Sequence, residues 1–162
     1  MFVDGNYRAQ AGDAEKIGEF LVGGGTLMMT AAFSQFFAMG EGTPWKDIKW
    51  TGGFRGSWSR QAAGDSFLGV VTQDSTLLPE GMKKGTTLPW WGIEMDRFWY
   101  DNADEKDILI GVESTNKQYT VKNQAAFFIH PVGKGKLIGV SMSTAPEMVP
   151  LLRNIVVDAM QK

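Results

Sequence analysis

The residues that most restrict the fold of this 162-residue chain are glycines set at the ends of apolar runs. Near the start, Glu15-Lys16-Ile17-Gly18-Glu19-Phe20-Leu21-Val22 leads into Gly23-Gly24-Gly25 and then Thr26-Leu27-Met28-Met29-Thr30. Ile17, Phe20 and Leu21 recur at helical spacing, and Asp13 and Glu15 suit the positive end of a helix, with Asp13 as its cap. Three glycines then stop the helix, because glycine accepts the left-handed geometry of a helix C-terminus. The all-apolar Leu27–Met29 reads as a parallel strand covered on both faces. Near the other end, Gly133-Lys134-Gly135-Lys136 reads as a tight turn into the buried strand Leu137–Ser141. Both ends point to an α/β domain.

Other segments follow by pattern. Phe2-Val3 is the end of a strand. Ala31–Ala38 is a helix carrying Phe33, Phe36 and Phe37, and Pro44–Gly64 is irregular with short strands. Phe67–Thr72 is a strand, Leu77–Trp91 a loop marked by Pro79, Gly81 and Pro89, and Arg97–Tyr100 a short strand or part of that loop. Ile108–Glu113 and Ala126–His130 are strands. Pro146 and Glu147 open a final amphipathic helix with Val149, Leu152, Ile155, Val156 and Ala159 on one side. The length fits one domain over residues 1–162, in which 44–105 is an elaborated insertion.

Composition removes several classes of function. Sixteen basic and 18 acidic residues give a net charge of −2 without a basic stripe, so nucleic acid is not an expected partner. The absence of cysteine excludes disulfides, zinc-thiolate sites and a thiol nucleophile. No apolar stretch approaches the roughly 20 residues of a membrane-spanning helix. No secretory leader opens the chain, which leaves periplasmic or extracellular and cytoplasmic locations open. The 20 glycines are an excess, and all six tryptophans fall between Trp45 and Trp99.

Ile17–Thr30 and Ala126–Met160, about 50 residues, resemble the class I glutamine amidotransferase-like superfamily. The likeness is to its non-amidotransferase branches, the ThuA-like proteins and the domains attached to bacterial glycoside hydrolases. It lies in the helix, glycine stop and strand of the first stretch. In the second it lies in the strand, Gly-Lys-Gly turn and strand ending in serine over Phe128–Ser143, and in the closing helix around Leu151-Leu152-Arg153-Asn154-Ile155. The resemblance implies a soluble, flavodoxin-like, doubly wound and mainly parallel sheet with helices on both faces, here with an irregular Trp/Gly-rich insertion. Ligands of such sheets sit beyond the carboxyl ends of the strands. Amidotransferases of the superfamily place a cysteine nucleophile after a strand, where this chain has Thr30-Ala31-Ala32-Phe33-Ser34. Glutaminase activity is therefore not expected. Ser34 lacks the Gly-x-Ser-x-Gly setting of a serine nucleophile. Only Phe2-Val3 stand where the family's opening strand belongs, so the chain reads as a fragment of a longer protein or as a trimmed sheet.

Two groups of residues carry candidate chemistry. His130, the one histidine, stands at a strand end before Pro131. It is expected at the carboxyl edge of the sheet, as a general base or metal ligand, or as a histidine that is simply hydrogen-bonded. A metal site would need carboxylates alone to complete it, and neither a metal nor a cofactor is expected. The stretch from Trp90 to Asp101 sets aromatic rings beside carboxylates. Rings stack on the C–H faces of sugars while acids bond hydroxyls, so Trp90, Trp91, Trp99, Tyr100 and Asp101 form the candidate carbohydrate platform. Packing of the same rings into a core is the plain alternative. Glu94 and Asp96, at alternate positions of a strand, would share a face as a glycosidase pair does. Gly52-Gly53-Phe54-Arg55-Gly56-Ser57-Trp58 lacks the lysine and the strand-to-helix context of a phosphate loop and reads as a turn.

The sequence thus favours a non-catalytic domain that binds a carbohydrate or related small molecule. One rival is a hydrolase on a sugar-related substrate using His130 with Glu94, Asp96 or Asp101. Another is an assembly domain of a larger carbohydrate-active protein. A homo-oligomer and a multidomain parent chain are both compatible with the sequence.

Overall fold

The computed structural model describes residues 2–3, 12–30, 55–60, 67–89, 96–101, 103–114, 124–141 and 148–161. The helix expected over Ala31–Ala38 lies outside the described residues. The described elements run β1 (Phe2–Val3), α1 (Asp13–Val22), β2 (Thr26–Thr30), β3 (Arg55–Arg60), β4 (Phe67–Val71), β5 (Thr87–Pro89), β6 (Asp96–Asp101), β7 (Ile108–Ser114), β8 (Ala125–Val132), β9 (Gly135–Val140) and α2 (Met148–Met160). A 3-10 turn at Glu105–Asp107 leads into β7.

The class is α/β, and the sheet is mixed. Its order is β1-β2-β9-β8-β7-β4-β5, with β6 joining β8 and β3 pairing β6. Among the described pairings only β1–β2 and β2–β9 are parallel. The other pairings, β3–β6, β4–β5, β4–β7, β6–β8, β7–β8 and β8–β9, are antiparallel. The expectation of a mainly parallel sheet is therefore corrected. A continuous apolar run signals a strand buried on both faces, and a central antiparallel strand meets that condition as well as a parallel one. β7 and β8 are strands of that kind, with Leu109, Ile110, Ala126, Phe127 and Phe128 all buried.

Two segments depart from the local expectations. Leu77–Trp91 contains β5, paired with β4 at the sheet edge and ending at Pro89, a position where a missing N–H does least harm. β4 and β5 extend the main sheet, so part of the 44–105 stretch belongs to its frame. Asp13 does not cap α1. The cap is Gly12, at φ 85°, with no side-chain hydrogen bond, and Asp13 and Glu15 lie in the first turn, where the helix dipole favours them. At the other end the backbone N–H groups of Gly23, Gly24 and Gly25 donate to Glu19, Leu21 and Phe20. Gly24 takes the left-handed step, at φ 114°.

α2 covers one face. Leu151 and Ile155 pack with Phe127, Ile138, Val140, Ile110 and Leu109, and with Leu78 and Leu88 from the β4–β5 side. The alternate residues Leu27, Met29, Leu137 and Phe128 are buried too, and α1, whose Ile17 and Leu21 are buried, packs on β2, β9 and β8. Asn154 donates to the Leu77 carbonyl at 2.9 Å, and Lys136 pairs with Asp158, which ties down the middle and the last turn of α2. Val149 and Val156, expected on the buried side of this helix, are exposed, and Leu151 takes the contact instead. The run Val-Pro-Leu-Leu-Arg-Asn-Ile-Val-Val is apolar on more than one side, so its period alone does not choose the face.

Candidate functional site

Strand directions divide the candidate residues between opposite ends of the sheet. β2 and β9 end at Thr30 and Val140. Beside that end β8 begins, because Ser141 donates to the Ala126 carbonyl from its backbone N–H at 2.8 Å and from its hydroxyl at 2.9 Å. β6 joins there as well, through the pair Tyr100–Ala125. The aromatic strand thus meets the sheet at the carboxyl edge of its parallel strands.

His130 lies at the other end. β8 runs antiparallel to β9, with His130 opposite Leu137, so its carboxyl end stands beside the amino ends of β2 and β9. The expectation that His130 sits at the carboxyl edge is corrected on this ground. It lies five positions along β8 from Ala125, about 17 Å at the rise of a strand. Asp101 follows Tyr100 along an antiparallel strand, so its register leads further from His130.

The carboxylate that His130 meets is Asp107. Imidazole Nδ1 and Asp107 Oδ2 are 2.6 Å apart, with the histidine side chain 23% and the aspartate side chain 7% exposed. Asp107 closes the 3-10 turn that precedes β7, and β7 pairs with β8 from Ile108 opposite Phe128, which brings the turn alongside the end of β8. A buried carboxylate is costly unless partnered, and the imidazole supplies that partner. The arrangement fixes Nδ1 on the carboxylate and leaves Nε2 as the nitrogen available to other groups. Nearby, Lys106 Nζ lies 3.1 Å from Asp104 Oδ2. The Lys106 hydrogen bond holds the Asp104 carboxyl below the usual carboxylate range, and that bond raises the ammonium in turn. Both groups are exposed, where such a pair contributes little to stability.

Asp107 was the residue hidden from sequence reasoning. It sits in Asp104-Glu105-Lys106-Asp107, which reads as a solvated charge run, 23 residues from its partner. The one available signal was its place immediately before the apolar run Ile108–Val112, within reach of a neighbouring strand's end. His130→Ala is expected to destabilise the fold by about 1–3 kcal/mol, because it leaves a buried acceptor unpartnered. His130→Asn keeps a donor near the Nδ1 position and should recover much of the loss. Urea melts of the two variants check this. Equal losses in both would contradict the role given to the Asp107 bond.

Trp90, Trp91 and Glu94 lie outside the described residues. β6 carries Asp96, Trp99, Tyr100 and Asp101, and its register with β3 sets Arg55 opposite Asp101, Gly56 opposite Tyr100, Ser57 opposite Trp99, Trp58 opposite Phe98 and Arg60 opposite Asp96. Both aspartates thus stand at register positions opposite an arginine. Trp99 and Tyr100 are successive strand residues and belong to opposite faces of the ribbon, so a one-faced platform draws on only one of them. Among the described residues no cluster of three His, Asp or Glu suited to a metal occurs. No described helix is long and apolar enough to cross a membrane.

The sequence matches no family model, and the comparison with curated proteins found no match. Solved structures do resemble it. A β-galactosidase from Bacillus circulans sp. alkalophilus superposes with a TM-score of 0.62 at 14% identity, over 99% of this chain and 22% of that one. The β-galactosidase of Rahnella sp. R3 gives 0.60 at 13%, over 98% and 22%. A ThuA-like protein from Bacteroides uniformis gives 0.60 at 14%, over 99% and 69%. The chain spans about a fifth of the length of either β-galactosidase. At these identities the likeness is one of fold, shared with the ThuA-like protein and with part of each β-galactosidase.

Proposed function

We propose that this chain is a non-catalytic domain that binds carbohydrate at the aromatic ribbon formed by β3 and β6. The observation that carries the reading is placement. The ribbon joins the sheet beside the carboxyl ends of β2 and β9, the edge at which open α/β sheets take their ligands. Aromatic residues occupy three successive ranks of it, Tyr100, Trp99 and the pair Trp58–Phe98. Two of the similar structures are β-galactosidases, which gives the reading its carbohydrate context.

The hydrolase alternative is less well supported. The carboxylate on His130 is Asp107, and the pair stands at the amino edge, about 17 Å along β8 from the ribbon's junction. The position after β2 that would carry a cysteine nucleophile holds Ala31-Ala32, and the chain contains no cysteine.

Intrinsic tryptophan fluorescence, titrated with a panel of cello-, xylo-, manno- and galacto-oligosaccharides, tests the reading. Saturable change is expected for at least one member. Trp99→Ala or Tyr100→Ala, whichever lies on the binding face, should weaken that binding about tenfold, the equivalent of about 1.4 kcal/mol. The other should leave it within about twofold. No response to any oligosaccharide would remove the reading.

A further inference from the structure

We infer that His130 is a positioning residue, which through Asp107 fixes the segment leading out of β6 and so sets the attitude of the ribbon at the far end of the sheet. The inference rests on the ribbon being the binding element. Among the described residues β6 meets the main sheet at a single residue pair, Tyr100–Ala125. One such rank acts as a pivot and leaves the angle of the ribbon open. A second point of attachment is needed to fix that angle, and residues 103–108, which follow β6 and enter β7, supply it.

That segment is held far more tightly than a surface connection needs to be. Ala103 is buried, and the Asp107 N–H closes the turn on the Asp104 carbonyl at 2.9 Å. From the β8 side, His130 holds Asp107 at 2.6 Å. From the loop after β4, the Gln73 amide donates to the carbonyls of Lys106 at 3.0 Å and Ile108 at 2.6 Å, and the Thr72 hydroxyl donates to Ile108 at 2.6 Å. Side chains from two separate parts of the chain thus converge on six residues whose one shared property is that they join the ribbon to the sheet.

Hydrogen exchange resolved by segment tests this without a ligand. His130→Ala is expected to speed exchange across 96–101 by about 3- to 10-fold, the range one lost hydrogen bond gives, beyond the common increase that the lost global stability produces in β2 and β9. Gln73→Ala acts on the same segment from its other side and should produce the same local pattern, and His130→Asn should restore slow exchange. Should His130→Ala fail to fold, Gln73→Ala and His130→Asn decide the matter. A rise across 96–101 no larger than that in β2 and β9 would overturn the inference and leave the His130–Asp107 pair a purely structural contact. A parallel titration with galactotetraose keeps the two readings apart. If wild type binds neither galactotetraose nor any other oligosaccharide, the proposed function fails while the exchange pattern still stands or falls by itself. If wild type binds and Gln73→Ala binds as tightly with a loosened ribbon, the positioning role is wrong and the binding reading survives.

Discussion

Phe127→Ala is expected to lower the free energy of unfolding by about 3–5 kcal/mol, the cost of emptying a large, fully buried aromatic site. Phe127 is 0% exposed and lies between two strands, with Val140 of β9 and Ile110 of β7 as its register partners. It also belongs to the cluster in which Leu151 and Ile155 of α2 rest on the sheet. Its ring therefore touches the central strands and the helix that covers them, and no single neighbour can move in to fill the space. Urea denaturation should show a lowered midpoint with an unchanged slope, the sign of lost stability rather than an altered denatured state. Phe127→Leu should cost much less, since it keeps most of the volume. A loss below about 1 kcal/mol for the alanine variant would mean that α2 does not depend on this cluster.

Gly135→Ala is expected to cost about 3 kcal/mol, for a reason unrelated to backbone flexibility. Gly135 opens β9 opposite Val132, and its neighbour Lys136 donates to the Gly25 carbonyl at 3.1 Å. A methyl group there would overlap the carbonyl oxygens of Leu21 and Gly25 and come within 2.9 Å of the Gly25 nitrogen. All three are backbone atoms and cannot swing aside as a side chain would. The glycine is thus needed so that the β8–β9 turn can lie against the end of α1. Gly81 is the useful control. It has a φ of 83°, and a methyl group there would meet nothing within 4 Å beyond its chain neighbours, so alanine meets only the left-handed backbone, worth about 1–2 kcal/mol. Thermal melts of the two variants should separate by that difference. If they lose the same stability, close approach is not what selects Gly135.

Much of the frame is legible because it rests on local chemistry. The helix, glycine stop and strand from Asp13 to Thr30 follow from period and from the C-terminal geometry of helices, and β8, its turn and β9 follow from an apolar run on either side of Gly133-Lys134. Strand direction was not legible, because burial on both faces leaves the same apolar run in either orientation. That one ambiguity moved His130 from the carboxyl to the amino edge and separated it from the aromatic strand. Asp107 stayed hidden because a carboxylate in a charged run gives no sign of burial, and its partner is distant in sequence. The ribbon was visible as a concentration of tryptophan, whereas its register, with Arg55 and Arg60 opposite the two aspartates, depends on a pairing no local pattern specifies.

The central claim is that this domain binds carbohydrate at its aromatic ribbon without acting on it. Isothermal titration with the oligosaccharide panel, followed by product analysis of the recovered sugar, measures both halves at once. The account predicts saturable binding of at least one oligosaccharide at a single site, recovered intact after prolonged incubation. Absence of binding across the panel would contradict it. So would cleavage by wild type that disappears in His130→Asn.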